Sequence, residues 1–245
     1  MRTVFASDTH LAPERPAQIA GFAALLEAVQ RWRATLYLLG DVVEFWPGDD
    51  DDAPLHRDLL ARLARLVDAG CRVYVARGNR DFLLGEGFRR ATGAELLEDW
   101  TRIALGGDRA LLTHGDLLCT RDLKYQEFRR FVRDPARQQQ FLNLPLAERR
   151  RIALQTREGT QSSMAEKAAE IMDVDEAEVL RVMREHEATL LVHGHTHRPA
   201  IHTFALDARP ARRCVLGDWY EAGHVLVHDD EGLRLLDVPA ALALR

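Results

Sequence analysis

The stretch LLVHGHTHRP, Leu190–Pro199, decides how the rest of the chain is read. Leu190, Leu191 and Val192, with Thr189 at the edge, form an apolar run of the length of a short buried strand. Gly194 breaks it, and His195 and His197 follow two residues apart. Neutral imidazole is a common ligand for transition metals. A loop that leaves a rigid sheet can aim two ring nitrogens at one ion. Alone, the pattern also fits surface histidines in a turn. Four further strand-like runs tip the balance, because each ends in residues of the same kind.

Thr3–Ser7 ends in Asp8-Thr9-His10, and Leu36–Leu39 ends in Gly40-Asp41. Val73–Val75 leads to Arg77-Gly78-Asn79-Arg80-Asp81, and Leu111–Thr113 to His114-Gly115-Asp116. Helical patterns lie between. Ile19, Phe22, Leu25, Leu26 and Val29 recur at helical spacing over residues 17–33. Pro54 suits a first helical position, Leu55–Val67 continues the helix, and Gly70 ends it. Residues 82–92 look helical despite Gly85 and Gly87. Between Pro47-Gly48 and Pro54 stand four aspartates, Asp49–Asp52, expected to form a solvated loop that caps the next helix. Alternating strands and helices predict an α/β fold with layered helices. Ligand sites in such sheets lie beyond the carboxyl ends of the strands.

Residues from about 120 to 187 break this alternation and read as a helical insertion in a single domain spanning residues 1–245. Tyr125, Phe128, Phe131 and Val132 share a helical face, interleaved with Arg121, Lys124, Arg129, Arg130 and Arg133. Asp173 or Asp175 is placed to cap a last helix. After the two histidines, Ile201–Leu206, Cys214–Leu216, Val225–Val227 and Leu233–Val238 read as short strands in an antiparallel finish.

Of the 245 residues, 47% are hydrophobic and 29% charged, as in an ordinary globular protein. A net charge of -5 supplies no global basic field, so nucleic acid is not an expected partner. Cys71, Cys119 and Cys214 show no framework spacing and no CxxC, which fits a reducing compartment. The opening MRTVFASDTH lacks the apolar core of a signal peptide, and no run approaches the roughly 18–20 apolar residues of a membrane span.

Asp8, His10, Asp41, Asn79, His114, His195 and His197 are therefore seven oxygen and nitrogen donors at equivalent ends of five strands. One ion uses about four to six ligands, so seven donors with one shared carboxylate suit a pair. Asp41 is the natural bridge. The donor set contains no thiolate and favours Mn²⁺, Fe²⁺, Zn²⁺ or Co²⁺ in a catalytic role.

In this order, Asp8–His10, Gly40-Asp41, Gly78–Asp81, His114-Gly115 and Gly194–His197 resemble the motifs of the calcineurin-like metallophosphoesterases. The segments SDTHL, LYLLGDVVEFWPGDDD, GNRDFLLG, HGDLLCTRD, IMDV and HGHTHRPAIH resemble one branch more closely, the UDP-2,3-diacylglucosamine diphosphatases of the lipid A pathway. The resemblance implies a layered α/β sandwich with a helical insertion cap. It implies two Mn²⁺ ions, one on Asp8, His10, Asp41 and His197 and one on Asp41, Asn79, His114 and His195. It implies an enzyme peripheral to the cytoplasmic side of the bacterial inner membrane. Its substrate is a UDP-linked diacyl glucosamine lipid, cleaved to UMP and 2,3-diacylglucosamine 1-phosphate. Catalytic roles fall on Asp41, Asn79, Arg80 and His195, and substrate contacts on Asn79, Arg80, Asp122, Thr160, Met164, Lys167 and His195. Thr160 stands where a serine is common, and Met164 where a small polar residue is common.

Arg80 supports the branch by its chemistry. Many metallophosphoesterases carry there a histidine suited to protonating a leaving alkoxide. Arginine stays charged, and its fork suits spread anionic oxygens. A leaving group that is already a phosphate needs little protonation, so Arg80 fits a diphosphate. The plain alternative is a surface arginine paired with Asp81. Tyr125, Phe128 and Phe131 are candidates to line an acyl slot, with Arg157 and Lys167 toward the polar head; otherwise the aromatics pack the insertion on the core. Two other functions fit less well. One is a metallophosphoesterase for soluble nucleotide diphosphates or phosphodiesters. The other is a non-catalytic scaffold, which would be expected to have lost ligands.

Overall fold

The computed structural model describes residues 2–166, 173–221 and 223–244, with side chains outside 157–166. In chain order the first half runs β1 (Thr3–Ala6), α1 (Pro16–Trp32), β2 (Thr35–Leu39), α2 (Pro54–Asp68), β3 (Val73–Ala76), α3 (Glu86–Thr92), β4 (Glu95–Leu96), β5 (Thr101–Leu105) and β6 (Asp108–Leu112). A 3-10 turn at Asp116–Leu118 leads to α4 (Leu123–Arg133), α5 (Pro135–Leu142), α6 (Leu146–Glu166) and α7 (Glu176–Glu185). The chain ends with β7 (Leu190–His193), β8 (Ala200–Leu206), β9 (Arg209–Val215), β10 (His224–Asp229), β11 (Gly232–Asp237) and α8 (Val238–Leu242).

The strands form two sheets, ordered β11-β10-β1-β2-β3-β4 and β5-β6-β7-β9-β8. β1 to β4 are parallel, as are β6, β7 and β9. Parallel strands covered on both faces read as continuous apolar runs, and side-chain alternation sorts each run onto two sides. Val4, Ala6, Leu36 and Leu38 face α1 and α2. Phe5, Tyr37 and Leu39 face the other way and meet Leu112, Leu190 and Val192 of the second sheet. Leu111 and Leu191 turn outward to Val179, Val182 and Met183 of α7. The result is helix, sheet, sheet, helix. An aromatic ladder crosses the middle layer in register: Phe5 stacks on Tyr37 at 5.0 Å, and Tyr37 on Tyr74 at 4.8 Å.

The layered α/β architecture agrees with the sequence reading, with local differences. The helix expected over 82–92 begins only at Glu86, and Gly87 is where Asp49 packs against it: a Cβ there would lie 2.6 Å from Asp49 Cβ. β4 and β5 were not expected. β4 has two residues, and β5 alternates exposed and covered positions, as an edge strand does. The closing strands do not form one antiparallel unit. β8 and β9 join the second sheet, where β9 runs parallel to β7, while β10 and β11 join the first. β9 starts at Arg209, because the turn needs only Asp207 and Ala208, both left-handed with φ of 50° and 63°. Pro210 precedes the residues of β9 that pair with β7. Asp175, not Asp173, caps α7, accepting from the Ala177 N–H. No helix among the described residues is long and apolar enough to cross a membrane.

The aspartate run is the largest departure from expectation. Asp50 and Asp52 are exposed, but the run is tied to the rest of the protein rather than free in solvent. Asp51 is buried and meets His56 Nδ1 at 2.7 Å, Asp49 accepts from Trp46 Nε1 and the Gly85 N–H, and Asp50, Asp51 and Asp52 bind arginines of α6.

Candidate metal centre

Two of the three histidine-bearing loops, and the loop carrying Asp41, leave their strands through a backbone turn that few residues adopt. Asp8, His10, Asp41, His195 and His197 all have left-handed φ, between 42° and 68°. Such a conformation costs about 1–3 kcal/mol per non-glycine residue and persists where surrounding structure enforces it. Five of the nine such residues among those described are expected metal ligands. The turns swing their side chains over the carboxyl ends of the sheets. Glycines let the loops close up: a Cβ on Gly78 would lie 2.1 Å from Asp41 Oδ1, and one on Gly194 2.1 Å from Asp8 Oδ2.

All seven expected ligands converge. His10 Nε2 and His197 Nε2 are 3.3 Å apart, and Asp8 Oδ1 lies 4.0 and 3.4 Å from them. On the other side, Asn79 Oδ1 is 3.0 Å from His114 Nε2 and 2.9 Å from His195 Nδ1. Asp41 faces both halves: Oδ2 is 3.8 Å from His10 Nε2, and Oδ1 is 3.8 Å from His114 Nε2. Asp8, His10 and His197, and again Asp8, Asp41 and His114, have the geometry to hold a metal ion.

The surroundings orient these groups. His114 Nδ1 donates to the Leu39 carbonyl at 2.9 Å, which turns Nε2 inward. Asp8 Oδ2 accepts from the His195 N–H and Ser7 Oγ, while Asp8 Oδ1 is buried with no hydrogen-bond partner. Burial, then the neighbouring cationic histidines, push the pKa of His10 down to about 3, and that of His195 down to about 4. Both are thus held as neutral imidazole, the form that ligates. Burial also raises Asp41 to about 7, helped by Asp81 and Asp8. Burial opposes charge on His197, but Asp218 and Asp8 overcome it and lift the imidazole to about 10. His114 is likewise raised, as Asp41 and Asp8 outweigh burial. Each half of the cluster therefore calls for positive charge. An orphaned buried carboxylate oxygen among converging ring nitrogens fits a divalent cation.

Three supporting residues escaped the sequence reading. Asp218 binds His197 Nδ1 at 3.1 Å. It follows β9 in Leu216-Gly217-Asp218, a repeat of the Gly-Asp signal of Gly40-Asp41 that could have revealed it. Tyr220 stacks on His10 at 5.4 Å, and Glu44 Oε2 lies 3.6 Å from His10 Nδ1. Asp81 is not an ion-pair partner of Arg80. It is fully buried and accepts from the N–H groups of Gly78, Asp41 and Val42, locking two of the loops together.

An apolar cavity of ≈ 280 Å³ opens beside Asn79 and Arg80. Phe82 lies on the body side, Tyr125, Phe128 and Phe131 come from α4, Phe141 from α5 and Ile152 from α6. The Tyr125 ring is 5.5 Å from that of His195, and its hydroxyl donates to Asp116 Oδ2 at 2.7 Å. Asp122 is buried and caps α4 by accepting from the Tyr125 N–H. Lys167, and the side chains of Arg157, Thr160 and Met164, lie outside the described residues.

Residues 1–199 match the family model described as calcineurin-like phosphoesterase. A protein of Aeromonas salmonicida named UDP-2,3-diacylglucosamine hydrolase is 49% identical over 93% of this chain and 89% of its own length. One of Chromohalobacter salexigens with the same name is 48% identical over 96% of each. A solved archaeal phosphodiesterase shares the fold at 11% identity, with a TM-score of 0.50 over 97% of this chain and 99% of that one. With its motifs gathered at one end of a two-sheet sandwich, this chain belongs to the calcineurin-like phosphoesterase family, among the relatives named UDP-2,3-diacylglucosamine hydrolase.

Proposed function

We propose that the chain hydrolyses the diphosphate of UDP-2,3-diacylglucosamine to UMP and 2,3-diacylglucosamine 1-phosphate, in lipid A biosynthesis, with two Mn²⁺ ions. One observation carries the reading: an apolar cavity abuts the carboxylate–histidine cluster, with Asn79 and Arg80 at the junction. A lipid with an anionic head needs both. Asp8, His10, Asp41 and His197 would hold one ion, and Asp41, Asn79, His114 and His195 the other. Divalent ions held there would neutralise charge on the phosphoryl oxygens and lower the pKa of a bound water to give a nucleophile at neutral pH. Asp41 keeps the two halves in register, because each of its oxygens faces one of them. Arg80 receives the charge of the diphosphate as a cation that gives up no proton. Its N–H also ties Asp41 Oδ1 at 2.8 Å. Asn79 borders both cluster and cavity, and His195 stands behind cavity-lining Tyr125, 5.5 Å from its ring. Asp122, Thr160, Met164 and Lys167 complete the contacts to the head group.

We place the enzyme on the cytoplasmic side of the inner membrane. Leu123 is 74% exposed and Leu154 58%, beside exposed Lys124, Arg130 and Arg151. Apolar and basic groups together suit an anionic leaflet.

Metal analysis, with UMP release from the UDP-linked lipid measured beside turnover of bis-p-nitrophenyl phosphate, tests the proposal. Metal-dependent UMP release favouring the lipid is expected. Preference for a soluble nucleotide diphosphate would overturn it.

A further inference from the structure

The described residues of α4, α5 and the first half of α6, which wall the apolar cavity, have almost no apolar core of their own. α4 and α5 bury no residue, and between Leu123 and Thr156 the buried side chains are Arg149 and Ala153. Over residues 146–156 Ala153 is the only buried apolar side chain, so apolar packing there does little to set the position of α6. A buried arginine does it instead. Arg149, 3% exposed, spends its whole fork on the body and on the turn before its own helix. Nε donates to the Leu144 carbonyl at 3.0 Å, and one terminal nitrogen to the Pro47 carbonyl at 2.7 Å and Asp50 Oδ1 at 2.8 Å. The other terminal nitrogen donates to Asp50 Oδ2. Gly48 makes room: a Cβ there would lie 2.5 Å from the guanidinium, and its φ of 140° strains any other residue. The neighbouring Arg150 adds a second tie from α6 to the same loop, to buried Asp51 and to exposed Asp52, but its own side chain is 40% exposed and it reaches no backbone carbonyl there.

Arg149 lies about one helical turn before Ile152 and Ala153, which line the cavity from α6. Fixing Arg149 to the loop after β2 fixes that wall. The same loop begins at Asp41, so the clamp ties the cavity to the metal cluster. We infer that Arg149, through Asp50 and the Pro47 carbonyl, is a positioning residue that sets substrate affinity for the acyl part while leaving the metal chemistry alone. The inference rests on the lipid substrate proposed above.

The test uses the metal-replete full chain and the variants Arg149→Met and Asp50→Asn. Methionine keeps much of the apolar stem and removes the fork. Asp50 is 61% exposed, so its substitution leaves no buried group unpaired on that side chain. Loss of positioning should raise KM for the UDP-linked diacyl lipid roughly tenfold in Arg149→Met and about threefold in Asp50→Asn, with kcat within about twofold. KM and kcat for bis-p-nitrophenyl phosphate should stay within about twofold, and the KM rise should shrink with a short-chain acyl analogue. A role in general stability predicts parallel loss on both substrates. That outcome, or an unchanged lipid KM, overturns the inference. If Arg149→Met fails to fold, Asp50→Asn decides alone. Wild-type enzyme that cleaves bis-p-nitrophenyl phosphate but not the lipid overturns the proposed function itself, and this inference with it.

Discussion

Replacing Asp41 by asparagine should separate what this carboxylate does for chemistry from what it costs the fold. Asp41 is 2% exposed and sits in a left-handed turn with φ of 52°. Burial, with Asp81 and Asp8 nearby, raises its pKa from 3.8 to about 7 against the pull of His114. At about 1.4 kcal/mol per tenfold, that rise sets about 4 kcal/mol against the ionised form in metal-free protein. The folded state therefore holds a proton that the unfolded chain has already released. The associated stability is fully present below about pH 3.8 and is lost as pH rises through about 7. Asparagine keeps the shape and the acceptor for the Arg80 N–H, and carries no charge. Chelated Asp41→Asn should match wild type near pH 4 and exceed its stability by up to about 4 kcal/mol near pH 8. With metal restored, its turnover should fall to background. Urea denaturation followed by circular dichroism, at several pH values in the presence of a chelator, measures the difference. A stability gap that is constant with pH, or a variant weaker than wild type near pH 8, refutes the reasoning.

Asp81→Ala strands three buried N–H donors and should cost about 3–6 kcal/mol, whereas Asp81→Asn keeps the oxygen serving Gly78 and Asp41 and should cost about 1–3 kcal/mol. Equal losses in the two denaturation curves would count against that hydrogen-bond assignment. His193 is fully buried, and burial with Arg213 lowers its pKa to about 3, so its stability is complete above pH 6.5 and fades as pH falls toward 3. His193→Asn should blunt acid unfolding by up to about 5 kcal/mol; an unaltered acid limb on denaturation would contradict this. Chelation should abolish turnover and Mn²⁺ should restore it, with about two ions per chain by elemental analysis; full activity after exhaustive chelation is the contrary result.

The strand-end donors were legible because a buried parallel strand is a continuous apolar run, and the first polar residues after it stand at the sheet's carboxyl edge. Asp8, Asp41, His114 and His195 could be found that way. Asp218 obeys the same rule after β9, but its strand reads as part of an antiparallel finish, whereas β9 runs parallel to β7 and ends at the same edge of the sheet. The aspartate run misled for another reason. Its partners Arg149 and Arg150 lie about a hundred residues away, so nothing local distinguishes a solvated acidic loop from a clamp.

By itself the sequence determined the main strands and helices of the sandwich and the kinds of atoms offered at each strand end, since these follow from local periodicity and side-chain chemistry. Only the tertiary structure decided that Asp41 looks both ways, that Asp81 is a buried tie between loops, and that Arg149 joins α6 to the loop after β2. Those facts depend on which distant backbone groups come within hydrogen-bond reach, and no spacing along the chain encodes that distance.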